Sequence, residues 1–184
     1  MEMKKKLRHS LTMAHRRMFI FFFLAAQVAL FSKPLEVQIE TPYAILMDAR
    51  TGKVLFDKKG NESVYPGSTT KIATALYLLK FAGDKLDEMV VCSEDALRVV
   101  SEEVKGEKGT LLPPHILELD GTTYNLKRKE RISLRELLYS AMIASANDST
   151  NVIAEFLCGD IQVFVNKLNE MIKDLGCKNT HFCN

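Results

Sequence analysis

The sequence predicts an α+β fold. Three observations carry the prediction: a hairpin pattern opens the foldable part, three helical patterns close it, and no alternating βαβ repeat runs between them. The 184 residues are enough for one domain and hardly two, and 47% hydrophobic with 26% charged residues is ordinary globular composition.

The elements follow in chain order. Residues 1–32 carry six Lys/Arg against one acid, ahead of an apolar run from Met18 to Phe31 and a Ser32-Lys33-Pro34 exit. A basic region, an apolar stretch and a small residue at the exit read as an export signal, with cleavage after Ser32 or retention as a membrane anchor. The apolar run of 14 residues is short for a span, which needs roughly 20. Tyr43–Met47 and Val54–Phe56 are β-prone runs separated by Asp48–Gly52, so Thr41 to Phe56 reads as a β-hairpin. Asp57 to Pro66 reads as a loop. A helix is predicted from Ser68 to about Phe81, with Ile72, Leu76, Tyr77 and Leu79 as its apolar side and Gly83 closing it.

From Asp84 to Leu126, repeated Gly and Pro predict short strands and loops, with one helix near Ser93–Val100. Tyr124 to Ile132 alternates imperfectly and is assigned as a strand. Ser133-Leu134-Arg135-Glu136 is a capping box, and the helix after it presents Leu134, Leu137, Leu138 and Met142 before ending near Ala144. A second helix opens near Asp148 and runs to Leu157, with Gly159 beyond it. A third starts at Asp160, uses Val163, Phe164, Leu168, Met171, Ile172 and Leu175 as its core face, and stops at Gly176.

Charge and cysteine content exclude some function classes. The formal net charge is +2, but residues 1–32 hold +5 of it, so the body is −3. An acidic body gives no reason to expect nucleic acid, whose binding needs a clustered basic surface. Of the four cysteines, Cys92, Cys158, Cys177 and Cys183, no pair has C-x-x-C spacing and no His sits at zinc-ligand spacing, so neither a metal nor a cofactor is expected. Cys158 falls in a helical apolar run and reads as a core residue. Cys177 and Cys183 are close enough in sequence to bridge, and sequence alone does not decide it.

Two short motifs carry chemistry. In Pro66-Gly67-Ser68-Thr69-Thr70-Lys71, Ser68 at a helix start has Lys71 three residues on, which puts both side chains on one face. A serine hydroxyl is a poor nucleophile until something takes its proton. A lysine amine does so when burial leaves it neutral. The bland alternative is that S-x-x-K recurs by chance and serine is a favoured N-cap. In Ser145-Ala146-Asn147, between two predicted helices, Ser145 is placed to relay a proton and Asn147 to hold a substrate amide. Again a bland reading exists, since Ser, Asn and Asp are ordinary at helix junctions.

Taken together the motifs are more specific. S-x-x-K followed by an S-D-N type triplet and K-T-G is the signature of penicillin-binding proteins and related β-lactamases. Here the first two occur in order, with Ser68 and Ser145 77 positions apart. Tyr43–Leu55 resembles the opening hairpin of the D-alanyl-D-alanine carboxypeptidase family. Leu137–Asn151 resembles the helix and turn of its second motif, and Leu175–Phe182 its later L-G-M-x-N-T-H-F segment. The resemblance covers roughly Thr41 to Asn184. It implies a β-lactamase/penicillin-binding transpeptidase-like fold, with residues 33–184 as the N-terminal part of a serine carboxypeptidase catalytic domain. It also implies roles: Ser68 as acylated nucleophile, Lys71 as its base, Ser145 as proton relay and Asn147 as substrate holder. The implied substrate is a peptidoglycan stem peptide losing its terminal D-alanine, with β-lactam antibiotics as covalent inhibitors. The implied location is the periplasm or the outer face of the cytoplasmic membrane.

The sequence departs from the family at its third motif, since no K-T-G occurs in these 184 residues. The expectation is a chain truncated before the C-terminal strands of the sheet, weakly active or inactive as it stands. Two other readings compete. A class A β-lactamase would need a deacylating Glu, and no Glu follows Glu170. A non-catalytic cell-envelope protein binding wall peptide fits the missing motif but not the intact Ser68, Lys71, Ser145 and Asn147.

Overall fold

A computed structural model describes residues 37–100 and 112–183. The signal or anchor expected at residues 1–32 therefore lies outside the described residues. No helix among those described is long and apolar enough to cross a membrane. The chain divides into two compact units, Met1–Glu62 and Ser63–Asn184.

In the first unit, β1 (Ala44–Met47) and β2 (Val54–Lys58) pair antiparallel, Ala44 opposite Lys58 and Leu46 opposite Phe56, as the sequence predicts. The turn is set by Asp48, whose Oδ1 accepts from the Thr51 amide at 2.7 Å and the Thr51 hydroxyl at 2.6 Å. Those bonds hold the exposed Asp48 carboxyl below its ordinary pKa.

The second unit is helical with short strand pairs. A 3₁₀ turn at Gly67–Thr69 leads into α1 (Thr70–Ala82). Next come β3 (Met89–Val91), β4 (Val99–Val100), β5 (Leu117–Glu118) and β6 (Arg131–Ser133). Then follow α2 (Leu134–Ile143), α3 (Asn147–Cys158) and α4 (Ile161–Asp174). The strands pair as β3 with β6, antiparallel, and β4 with β5, parallel. Helix α1 packs against α2, α3 and α4. Leu78, Leu134, Leu137, Val152, Ile153 and Leu168 are the largest fully buried apolar side chains of that core. The mix of helix and strand is the α+β class expected.

Several predicted details need correcting. The apolar side assigned to α1 is mostly the wrong one: Ile72, Leu76 and Leu79 are exposed, while Lys71, Ala73, Thr74, Ala75, Tyr77, Leu78 and Ala82 are buried. Small residues on that side let the neighbouring helices approach closely, which outweighs the size of the outward residues. The helix near Ser93–Val100 is a turn followed by a strand. The Ala96 amide donates to Ser93 Oγ, and β-branched Val99 and Val100 then pair with Leu117 and Glu118. The strand from Tyr124 shrinks to Arg131–Ser133, because Asn125 and Lys129 adopt positive φ of 61° and 65°. Met142, Val163 and Leu175 are exposed, not core. All four cysteines are free thiols. Cys92 is fully buried, and burial pushes its pKa up to about 11.

The capping box forms as predicted: the Glu136 amide donates to Ser133 Oγ at 3.2 Å and the Ser133 amide to Glu136 at 3.3 Å. Because β6 feeds directly into this cap, it fixes where α2 starts. Ser133→Ala is expected to cost about 1 kcal/mol, read as a lower thermal midpoint by circular dichroism with helix content unchanged.

Candidate active site

Ser68 sits in the 3₁₀ turn before α1. Two threonine hydroxyls shape that turn: Thr69 Oγ1 donates to the Pro66 carbonyl at 2.7 Å and Thr70 Oγ1 to the Gly67 carbonyl at 2.9 Å. Gly67 has φ +53°, a conformation that favours glycine. Ser68 is not the N-cap of α1. The cap position is Thr69, and no side chain caps it. The bland reading of Ser68 as a cap therefore fails. Its hydroxyl instead accepts from Ser145 Oγ at 2.8 Å, across 77 residues.

Lys71 lies one turn on, 9% exposed, and donates from Nζ to Asn147 Oδ1 at 2.7 Å. Burial lowers its pKa from the ordinary lysine value, which favours the neutral amine. The four residues singled out in the sequence are thus brought together as two bonded pairs, Ser68 with Ser145 and Lys71 with Asn147.

The Ser145–Asn147 stretch is held from both sides. Ser145 has φ 57°, uncommon for a residue with a side chain and costing of the order of 1–3 kcal/mol. The amides of Ala144 and Ala146 both donate to the Ser140 carbonyl, and Ser140 Oγ is bonded to Ser149 Oγ at 2.7 Å in a buried contact. The Asn147 amide donates to the Thr122 carbonyl at 2.8 Å. Gly121 comes so close that a Cβ there would meet Asn147 Nδ2 at 3.1 Å.

Asp148 was not singled out in the sequence, where an acid at a helix junction looks routine. In the structure it is 2% exposed, and its carboxylate accepts from the amides of Tyr124, Leu126 and Ser149. It fastens the 122–126 segment to the start of α3, beside Asn147. Asp148→Ala strips the Tyr124 and Leu126 amides of this acceptor, and a cost of about 2–4 kcal/mol is expected, measured by chemical denaturation.

A cavity of about 450 Å³ opens beside this cluster, with Ser68, Lys71 and Asn147 among its lining residues and the segment from Pro114 to Glu118 as one wall. Asn151 Nδ2 ties that wall in place, donating to the carbonyls of His115 (2.8 Å) and Ala96 (3.0 Å). His115 Nε2 is 3.4 Å from Asp95 Oδ2 and makes no hydrogen bond. A hydroxyl bonded to a second hydroxyl, with a partly desolvated amine one helical turn away, is an arrangement suited to nucleophilic acyl transfer.

Comparison with known proteins identifies relatives of the chain. The family model for D-alanyl-D-alanine carboxypeptidase matches residues 28–184. The chain is 35% identical over 149 residues to D-alanyl-D-alanine carboxypeptidase DacF of Bacillus subtilis, covering 81% of this chain and 34% of that protein. It is 29% identical over 170 residues to DacC of Escherichia coli, covering 88% and 38%. The crystal structure of the carboxypeptidase DacD from Francisella tularensis superposes with a TM-score of 0.63 at 29% identity, covering 83% of this chain and 33% of that one. The chain thus spans between 34% and 38% of the length of these two curated relatives.

Proposed function

The chain belongs to the D-alanyl-D-alanine carboxypeptidase family, and on that premise we propose that it carries the acylation half-site of a serine D-alanyl-D-alanine carboxypeptidase. The observation that supports this reading most is the 2.8 Å bond from Ser145 Oγ to Ser68 Oγ, with buried Lys71 three residues on, in the first turn of α1. Ser68 Oγ attacks the carbonyl between the two terminal D-alanines of a peptidoglycan stem peptide. Neutral Lys71 takes the hydroxyl proton, either after releasing Asn147 or through Ser145. Ser145 delivers a proton to the departing amine, and free D-alanine leaves. Asn147 holds the substrate amide. Water then releases the acyl group from Ser68. β-Lactams enter the same route and stay on Ser68 as covalent adducts.

Residues 1–32 are proposed to export the chain or anchor it, and 33–184 to form this catalytic part. A fluorescent penicillin tests the reading. Lasting label on the peptide containing Ser68 is the expected result. Rapid turnover of the label would mean a β-lactamase, and no label would mean a non-catalytic binding protein.

A further inference from the structure

Gly121 stands apart from the other described glycines. Gly52, Gly67, Gly159 and Gly176 have positive φ, and a Cβ on any of them would meet nothing within 4 Å. Their turns favour glycine for its backbone. Gly60 is crowded only by Asp57, a flexible side chain that accepts Gly60's own amide. Gly121 is the reverse of the first group. Its φ is outside the left-handed region, yet an added Cβ would meet Asn147 Nδ2 at 3.1 Å and the Glu118 carbonyl oxygen at 3.1 Å. What crowds out a side chain at 121 is therefore contact, and one of the two contacts is with a site residue. Gly121 is not among the residues lining the cavity, so it supports Asn147 from outside it.

Neither neighbour of that Cβ moves freely. The Glu118 carbonyl accepts the Gly121 amide at 3.1 Å, and Glu118 belongs to β5, which is paired with β4. The Asn147 backbone is tied to the same segment, its amide donating to the Thr122 carbonyl at 2.8 Å. What is left to yield is the side-chain torsion of Asn147, and that torsion carries both ends of the amide. Oδ1 accepts from Lys71 Nζ at 2.7 Å. Nδ2, the end against Gly121, is then the end that can donate to a substrate. We propose that Gly121 is a positioning residue: its bare backbone lets the Asn147 amide lie with its oxygen on Lys71 and its nitrogen toward the substrate. A methyl group at 121 turns the amide and loosens its hold on Lys71. The effect on rate rests on the proposed acylation of Ser68, while the effect on Lys71 does not.

A double-mutant cycle on the full chain tests this, pairing Gly121→Ala with Asn147→Ser, whose short side chain leaves room for the methyl. In the parent, Gly121→Ala is expected to slow penicillin acylation of Ser68 about tenfold, the scale of a sub-ångström misplacement. It should also lower the pH at which Lys71 titrates, read from its Cε resonance by NMR, because the charged amine loses an acceptor. In the Asn147→Ser background the same substitution should change the rate by less than about twofold and leave the Lys71 titration where Asn147→Ser put it. An unchanged rate and titration in Gly121→Ala overturn the proposal. So do equal losses in both backgrounds, which would assign the effect to strain at the Glu118 carbonyl. If Gly121→Ala does not melt cooperatively, the cycle is read on folding. A melt restored by Asn147→Ser supports the contact, and one lost in both backgrounds overturns it. A parent that takes no penicillin label sinks the carboxypeptidase reading alone, since the Lys71 titration still decides the cycle.

Discussion

Ser68→Ala is expected to abolish penicillin labelling while leaving the fold in place. The chemical reason is absolute: without Oγ there is no atom to carry the acyl group, and no neighbouring residue substitutes for it. Ser145 Oγ is 2.8 Å from Ser68 Oγ, but Asn147, not Ser145, holds the Lys71 amine. The structural cost should be small. Ser68 is exposed and caps nothing, and the Ser145 hydroxyl that loses its acceptor can turn to water. Stability should stay within about 0.5 kcal/mol, checked by denaturant titration beside the label. Label that persists in the variant would move the nucleophile to another residue, with Ser145 the first to be tested.

What could be read from the sequence, and what could not, follows from the range of the interactions. The Ser133–Glu136 cap and the Gly159 stop of α3 were legible because their partners lie three or four residues away. The orientation of α1 was not. Apolar residues occur on every side of it, so periodicity does not choose a face, and burial of Lys71 and Thr74 runs against any hydrophobicity count. Residues 93–100 look helical in sequence because a single turn can open a helix or lead into a strand, and the deciding partner, Leu117–Glu118, is distant. The same divide runs through the site. Ser68 and Lys71 are visible as a spacing on one helix. Their bonds to Ser145 and Asn147 span 77 and 76 residues, and only the resemblance of the second motif hinted at them. Asp148 had no sequence signal at all, because its function is to accept amides from a segment 22–24 residues upstream.

Lys71→Met is expected to slow acylation by about 100-fold or more, the range of a lost general base. The pH dependence separates this role from a structural one. Burial lowers the Lys71 pKa, so the neutral amine fraction in the parent grows as pH rises through that lowered value. Acylation should rise with it and then level off. In Lys71→Met the rise should vanish and leave a slow, flat profile. Stability should move differently. With a folded pKa below the unfolded value near 10.5, the unfolded chain binds more protons between the two. The contribution of Lys71 should therefore raise stability as pH climbs from the folded pKa toward 10.5 and be flat below the folded pKa, where both states are protonated. Methionine has a similar reach, carries no charge to desolvate, and leaves only Asn147 Oδ1 short of a donor. At neutral pH the variant should thus be no less stable than the parent by more than about 1 kcal/mol, the usual worth of one hydrogen bond. A variant that acylates at the parent's rate with the parent's pH slope would show that Lys71 holds Asn147 and does nothing more.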